Sequence, residues 1–210
     1  MTIDSKRAED DLAFMRAIVE DHGTGDGSFG ILYLAAGILY GLQCLLNAAL
    51  LGADFPVSTL VWLAVGWLPT VLFMIVIFYN AWKHRAQPIG TGTTKRALGA
   101  AFAGAGIANV VLALVFGWVA YQKRDWSIWL LYPVIVCALQ GAIWFAVSLL
   151  RRRFWQGLTS IGWFVSALAL GFLLNQTQAY LLALGIALFV CMTLPGFVML
   201  RSSAQNRAKT

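Results

Sequence analysis

Amide side chains are the strongest hydrogen-bonding groups within the long apolar stretches of this sequence. Gln43 and Asn47 lie four residues apart, on one face of a helix, and Asn109 and Gln140 occur in later apolar stretches. Together with Trp67 they form our candidate ligand-binding set, a neutral polar pocket for a small molecule. The alternative is that the amides join neighbouring helices, at about 0.6 kcal/mol per hydrogen bond.

Three tryptophans, Trp67, Trp144 and Trp163, lie far from the ends of their apolar stretches. A buried indole N–H needs a hydrogen-bond acceptor. These rings therefore either line a cavity or pack between helices.

Ionisable residues are missing from the apolar stretches, which contain no Asp, Glu, Lys, Arg or His. Proton pumps and most ion-coupled transporters need such a group within the membrane. An intramembrane serine protease needs a base beside its nucleophile, and a b-type cytochrome needs histidine ligands for its haem. We therefore expect neither a pump nor an enzyme, and no cofactor.

Metal and nucleic-acid sites are not expected either. The only histidines are His22 and His84, and Cys44, Cys137 and Cys191 have no CxxC spacing. A structural zinc site needs four ligands, and a buried cysteine usually behaves as a small hydrophobe. No P-loop, GxGxxG motif or nucleic-acid module occurs.

The elements that carry these residues are predicted to be six transmembrane helices. Of the 210 residues, 60% are hydrophobic and 11% charged, whereas a soluble domain has about 25% charged residues. About 20 apolar residues cross a bilayer as a helix, because lipid leaves no other partner for the backbone amides. The predicted spans are 30–52, 57–82, 97–121, 127–150, 155–175 and 178–200.

Charge predicts the orientation of these spans. Ten bases follow the second, fourth and sixth spans: Lys83, Arg85, Lys95, Arg96, Arg151, Arg152, Arg153, Arg201, Arg207 and Lys209. The loop after the third span has only two bases, Lys123 and Arg124. Short basic loops stay in the cytoplasm, so both termini are predicted to be cytoplasmic, in a bacterial cytoplasmic membrane.

The densest basic cluster is Arg151, Arg152 and Arg153. It is either a topological anchor or a binding site for anionic lipid head groups, which basic pockets on the cytoplasmic side recognise.

Residues 4–21 are predicted to form an amphipathic cytoplasmic helix. Leu12, Met15 and Val19 recur on one face, while seven of the nine acidic residues of the chain precede the first span. A helix that lies on anionic lipid has a basic polar face, so this one has the wrong charge for that role. We expect it to dock on a partner, or on the basic cytoplasmic face of its own chain, through these three residues.

Small residues spaced four apart predict close helix packing. Gly37 and Gly41 have this spacing in the first span, and Ala100, Gly104 and Ala108 have it in the third. These two spans are expected to pack together, or one of them is a subunit interface.

Three hairpins, residues 30–85, 97–153 and 155–201, share an order of residue types. The small, glycine, aromatic and basic positions are Gly41, Gly52, Trp62 and Lys83, then Gly106, Gly117, Trp129 and Arg151, then Ser160, Gly171, Tyr180 and Arg201. This order predicts a parallel triple repeat, although bilayer thickness alone imposes similar spacings.

The predicted organisation is a cytoplasmic helix and linker (1–28), a six-helix bundle (29–201) and a tail (202–210). The expected function is that of a non-catalytic accessory or regulatory subunit. The alternative is a small transporter or binding protein for a neutral, apolar or lipid-like molecule. Expected partners are membrane lipids, and either another protein or a second copy of this chain.

Overall fold

The computed structural model describes residues 26–53, 56–83 and 93–207. Helices make up almost all of this part, and no strand occurs in it. The helices are α1 (Asp26–Leu51), α2 (Thr59–Lys83), α3 (Thr93–Lys123), a 3₁₀ turn (Trp126–Leu130), α4 (Leu131–Arg151), α5 (Phe154–Phe172), α6 (Thr177–Leu188), a π-helical turn (Phe189–Thr193) and α7 (Leu194–Arg207). The predicted helix at 4–21 lies outside the described residues.

Five helical rods are long and apolar enough to cross a membrane: α1, α2, α3, the 3₁₀ turn with α4, and α6 with the π-helical turn and α7. The sixth rod, α5, has 19 residues and is less apolar. Its first two turns contain Gln156, Thr159 and Ser160, and all three are buried. The architecture is compatible with a membrane protein in which α5 turns a polar face inward.

Four rods form the core and two helices lie outside it. The most extensive contact joins α4 and α5, and α1 packs along α6, the π-helical turn and α7. Helix α2 packs on α1 and buries only Asn80, while α3 packs on α4 and, among residues 99–123, buries only Ala105 and Ala120.

Glycines allow α1 to approach the last rod closely. A Cβ added at Gly37 would lie 2.5 Å from Thr193 Oγ1, and one at Gly41 would lie 2.9 Å from the Phe189 ring. On the facing rod, a Cβ at Gly196 would lie 2.6 Å from the backbone nitrogen of Leu34. The predicted glycine pair of the first span therefore packs against the last span.

The small-residue face of α3 has a different environment from the one that its spacing predicts. Ala100 and Gly104 are exposed, Ala108 is half-buried, and nothing lies within 4 Å of a Cβ added at Gly104. The expected close packing of the first and third spans is thus not found in the described part of the chain. Their aromatic contact there, between Phe29 and Phe102, joins ring centroids 4.2 Å apart.

The π-helical turn lies directly before Pro195. Proline has no backbone N–H, and its ring collides with the carbonyl group four residues earlier in a regular helix. Here the N–H of Leu194 bonds to the carbonyl of Phe189, five residues back, which widens the helix at this point. The rod continues as α7 because this wider turn accommodates the proline.

Asp125 organises the connection between α3 and α4. Its Oδ1 accepts hydrogen bonds from the backbone N–H of Ser127 at 2.9 Å and from the Ser127 hydroxyl at 2.6 Å. These bonds lower the pKa of the exposed Asp125 carboxyl, with a smaller contribution from Lys123. The charged form of Asp125 therefore caps the 3₁₀ turn.

Candidate functional site

The hydroxyl of Tyr33 is a buried junction between three helices. Its oxygen accepts hydrogen bonds from Trp144 Nε1 at 2.6 Å and from Trp163 Nε1 at 3.2 Å. Tyr33 lies on α1, Trp144 on α4 and Trp163 on α5, and each is at most 4% exposed. A phenol oxygen accepts two hydrogen bonds, so this one group satisfies both indoles.

An aromatic cluster surrounds this junction. Phe29 stacks on Tyr33 with ring centroids 5.3 Å apart, and Phe102 meets Trp144 edge-on at 5.9 Å. Trp155 extends the cluster to the first turn of α5, 5.8 Å from Trp144. These residues belong to the start of α1, the first half of α3, the end of α4 and the start of α5. The cluster therefore marks one end of the bundle, where the chain enters α1.

The basic turn (Arg151, Arg152 and Arg153) joins α4 to α5 at the same end. Arg152 is exposed and adopts the left-handed conformation at φ 52°, while its N–H bonds to the carbonyl of Ser148 at 2.8 Å. Arg151 and Arg153 are half-buried. Arg153, the N-cap residue of α5, makes no capping hydrogen bond with its side chain. The first N–H groups of α5 point toward the basic turn, as those of any helix point beyond its N-terminus.

Gln156, in the first turn of α5, is fully buried at 0% exposure. Its backbone N–H bonds to the carbonyl of Arg153 at 3.1 Å, but neither Nε2 nor Oε1 of its side chain has a hydrogen-bond partner. Leaving a buried polar group unpaired costs about 1–3 kcal/mol. Gln140 Oε1 and Thr193 Oγ1 are the other unpaired buried side-chain atoms found within the described ranges.

The predicted ligand-binding residues are divided among different helix contacts. Gln43 Nε2 donates to the carbonyl of Gly66 on α2 at 3.0 Å, whereas Asn109 Oδ1 accepts from the Tyr132 hydroxyl at 2.8 Å. Asn47 and Gln140 are half-buried. The amides at 43 and 109 therefore connect α1 to α2 and α3 to α4, which is the alternative that the sequence left open.

Trp67 is 68% exposed and lies on the outer surface of α2. The sequence suggested a deep indole because Trp67 is far from both ends of its span. Depth in the membrane and distance from the bundle axis are independent, however. A tryptophan in the middle of a span can therefore lie on the outer surface of the bundle, as Trp67 does. Trp144 and Trp163 are buried between helices, which is one of the two arrangements that the sequence left open.

Gln156 and Tyr33 were missed at the sequence level, although a signal for Gln156 existed. Gln156, Ser160 and Trp163 follow the i, i+4, i+7 spacing of one helix face in the least apolar span. Ser160 Oγ does bond across to the carbonyl of Gly141 on α4 at 2.8 Å. The predicted docking residues Leu12, Met15 and Val19 lie outside the described residues.

Metal ligands do not cluster in the part of the chain that the structure describes, where no group of three or more His, Cys, Asp or Glu residues is placed to hold an ion. Cys44, Cys137 and Cys191 are buried free thiols within the apolar core.

No protein-family model, no curated protein and no solved structure matches this chain.

Proposed function

We propose that this chain is a non-catalytic integral membrane protein that acts as an accessory or regulatory subunit. The observation that carries the proposal is how the polar side chains of the bundle are used. Gln43, Asn109 and the Tyr33 hydroxyl each bond directly to a neighbouring helix. Groups engaged in holding helices together are not available to bind a transported solute, so the function lies on the surface of the bundle.

The first surface is the acidic N-terminal segment, through Leu12, Met15 and Val19. The start of α1 lies at the same end of the bundle as the basic turn, since both adjoin the aromatic cluster. The first described residue, Asp26, therefore lies at the end of the bundle that carries the three arginines. This position supports docking on the basic face of the chain itself, or on a partner that competes for it.

The second surface is the open face of α3 around Ala100 and Gly104. Small residues that face away from the bundle let a second transmembrane helix approach closely. We assign this face to a transmembrane helix of the partner subunit. The topology proposed with it is six spans in three hairpins, with both termini in the cytoplasm of a bacterium, as the distribution of Lys and Arg indicates.

Substitution of the apolar stripe tests the first surface. The combined variant Leu12→Gln, Met15→Gln, Val19→Gln should lose a protein that co-purifies with the wild type at fixed stoichiometry in mild detergent. Ala13→Gln with Ala17→Gln, on the opposite side of the predicted helix, is the matched control and should retain it. Equal recovery with both variants contradicts docking through the stripe. A crosslink between cysteines introduced at positions 11 and 152 would identify the chain's own basic face as the docking site.

A leucine at Gly104 tests the second surface. Nothing in the described part of the chain lies within 4 Å of a Cβ at Gly104 or at Gly171, so the first side-chain carbon meets no neighbour at either position. Gly104→Leu should reduce partner recovery, whereas Gly171→Leu, on α5, should not. If both variants behave as the wild type, the α3 face is a lipid contact only.

A small transporter or binding protein is the second candidate function. Three side chains favour it, because Gln140, Gln156 and Thr193 each have a buried polar atom without a partner. Under this alternative, a neutral or lipid-like molecule would remain bound after purification, with one copy for each protein.

A further inference from the structure

We propose that the start of α5 binds the phosphate of an anionic lipid head group, with Arg152, Arg153 and the side-chain amide of Gln156 as its contacts. This site goes beyond the proposed subunit function, although it shares Arg152 and Arg153 with the basic face on which the N-terminal segment is proposed to dock. The lipid site is tested at Gln156, whereas docking is tested at Leu12, Met15 and Val19, so either one can fail alone.

The buried Gln156 amide is the observation from which this inference starts. Both of its polar atoms are enclosed and unpaired, which destabilises the folded chain. In a helix each Cα–Cβ bond tilts toward the N-terminus, so Gln156 leans toward the basic turn that precedes α5. The partner that we assign to this amide is a ligand bound at that end of α5.

The charge at this end selects an anion. The first N–H groups of α5 carry the positive end of the helix dipole, and no side chain of the described residues caps them. Arg152 is exposed and Arg153 half-buried beside them. Helix N-termini bind phosphate through the same N–H groups, and arginine adds a planar fork of donors that matches phosphate oxygens.

The side-chain amide of Gln156 further limits the class of anionic ligand, because it offers a hydrogen-bond donor and an acceptor together. A phosphate oxygen accepts from Nε2, and a hydroxyl group next to the phosphate can donate to Oε1. A phosphoglycerol head group provides both. Trp155, half-buried beside Gln156, belongs to the residue type that concentrates at the membrane interface, where such a head group lies.

Lipid retention by the full-length chain in native mass spectrometry tests the site. Phosphatidylglycerol and phosphatidylcholine are offered separately, and inorganic phosphate is offered to lipid-free protein in a thermal shift assay. We expect the wild type to prefer phosphatidylglycerol. Gln156→Met, which keeps the length of the side chain, should weaken that retention about 10-fold, the effect of losing one hydrogen bond to a charged group.

Two further variants separate binding from folding. Gln178→Met also replaces a glutamine amide, at the start of α6 and at the opposite end of the bundle, where Gln178 bonds to the carbonyl of Ala48, and should leave lipid retention unchanged. Arg152→Asn removes a charge at a left-handed position that asparagine tolerates, and should weaken retention while the fold persists.

Equal retention of the two lipids by the wild type, or unchanged retention by Gln156→Met and Arg152→Asn, overturns the proposal. A stabilisation by inorganic phosphate that equals that of the lipid and depends on Gln156 supports the phosphate site and identifies free phosphate as its source. Loss of lipid preference in Gln178→Met to the same extent as in Gln156→Met would also overturn it.

Discussion

The hydroxyl of Tyr33 connects three helices through two hydrogen bonds. Its oxygen satisfies two indole N–H groups, from α4 and from α5, in a region where no water competes for them. Each of these donors would be costly to leave unpaired. The hydroxyl therefore fixes the relative positions of α1, α4 and α5.

Tyr33→Phe tests this junction. The ring contacts remain, but Trp144 and Trp163 lose their acceptor, at about 1–3 kcal/mol for each buried donor. We expect a lower midpoint of thermal unfolding in detergent. Tyr121→Phe, at an exposed position on α3, is the control and should leave the midpoint unchanged. A Tyr33→Phe variant as stable as the wild type would show that the indoles find other acceptors.

Glycine has opposite roles at Gly37 and Gly104. At Gly37 a methyl group would collide with Thr193 Oγ1 and with the Thr193 backbone nitrogen, at 2.5 and 2.7 Å. Overpacking of this kind costs about 1–3 kcal/mol. At Gly104 the space is open, so only the intrinsic preference of helices for alanine over glycine applies, roughly 0.5–1 kcal/mol.

Gly37→Ala is therefore expected to destabilise the protein, and Gly104→Ala to leave it as stable as the wild type or more so. Thermal unfolding of the two purified variants in the same detergent measures the difference. A destabilising Gly104→Ala would mean that another part of the molecule packs against this face.

At the scale of elements, the connection between α3 and α4 depends on the charge of one side chain. The pKa of Asp125 is lower in the folded chain than in the unfolded one, because Ser127 donates two hydrogen bonds to the carboxylate. Its stabilising contribution is complete above the unfolded value of about 3.9 and is lost as pH falls through the lower folded pKa.

Asp125→Asn should thus be less stable than the wild type at pH 7, since asparagine accepts hydrogen bonds without the charge. The difference should vanish in acid, once Asp125 itself is protonated. Hydrogen exchange at the Ser127 amide, followed from pH 7 to pH 3 in both proteins with correction for the intrinsic rate, measures it. A difference that persists unchanged to pH 3 would exclude the charge as its cause.

The helices themselves could be predicted from the sequence because their cause is local. A run of about 20 apolar residues has to become a helix in lipid, and the charged or polar residues at 54, 83 and 151 end the runs. The predicted spans 30–52 and 127–150 correspond to α1 (Asp26–Leu51) and to the 3₁₀ turn with α4 (Trp126–Leu130 and Leu131–Arg151). The last rod continues to Arg207, seven residues beyond the predicted end at 200. The prediction marks where the apolar run ends, whereas a helix can extend past that point into water.

Packing partners could not be predicted in the same way. In a soluble helix, polar residues mark the outer face, but here the core and the outer surface are both apolar. Gly37 and Gly104 therefore look alike in sequence. A Cβ at Gly37 would meet Thr193 on the last rod, whereas a Cβ at Gly104 would meet no atom of the described chain within 4 Å. For the same reason, nothing distinguished the exposed Trp67 from the buried Trp163.

For the whole molecule, the basic loops predict the orientation of the bundle in the membrane. A reporter fused after Thr210 should be active in the cytoplasm, because the basic turn and the bases after the last span are expected on that side. A periplasmic signal from this fusion would contradict an even number of spans with both termini inside.

Native mass spectrometry of the chain extracted from its own membranes in mild detergent tests the proposal that the bundle works by binding a partner. The wild type should carry an additional protein mass at fixed stoichiometry. That mass should disappear when Leu12, Met15 and Val19 are replaced by glutamine, and should persist when Ala13 and Ala17 are. A wild-type chain that carries one small neutral molecule and no second protein would contradict the claim and favour a binding protein or transporter.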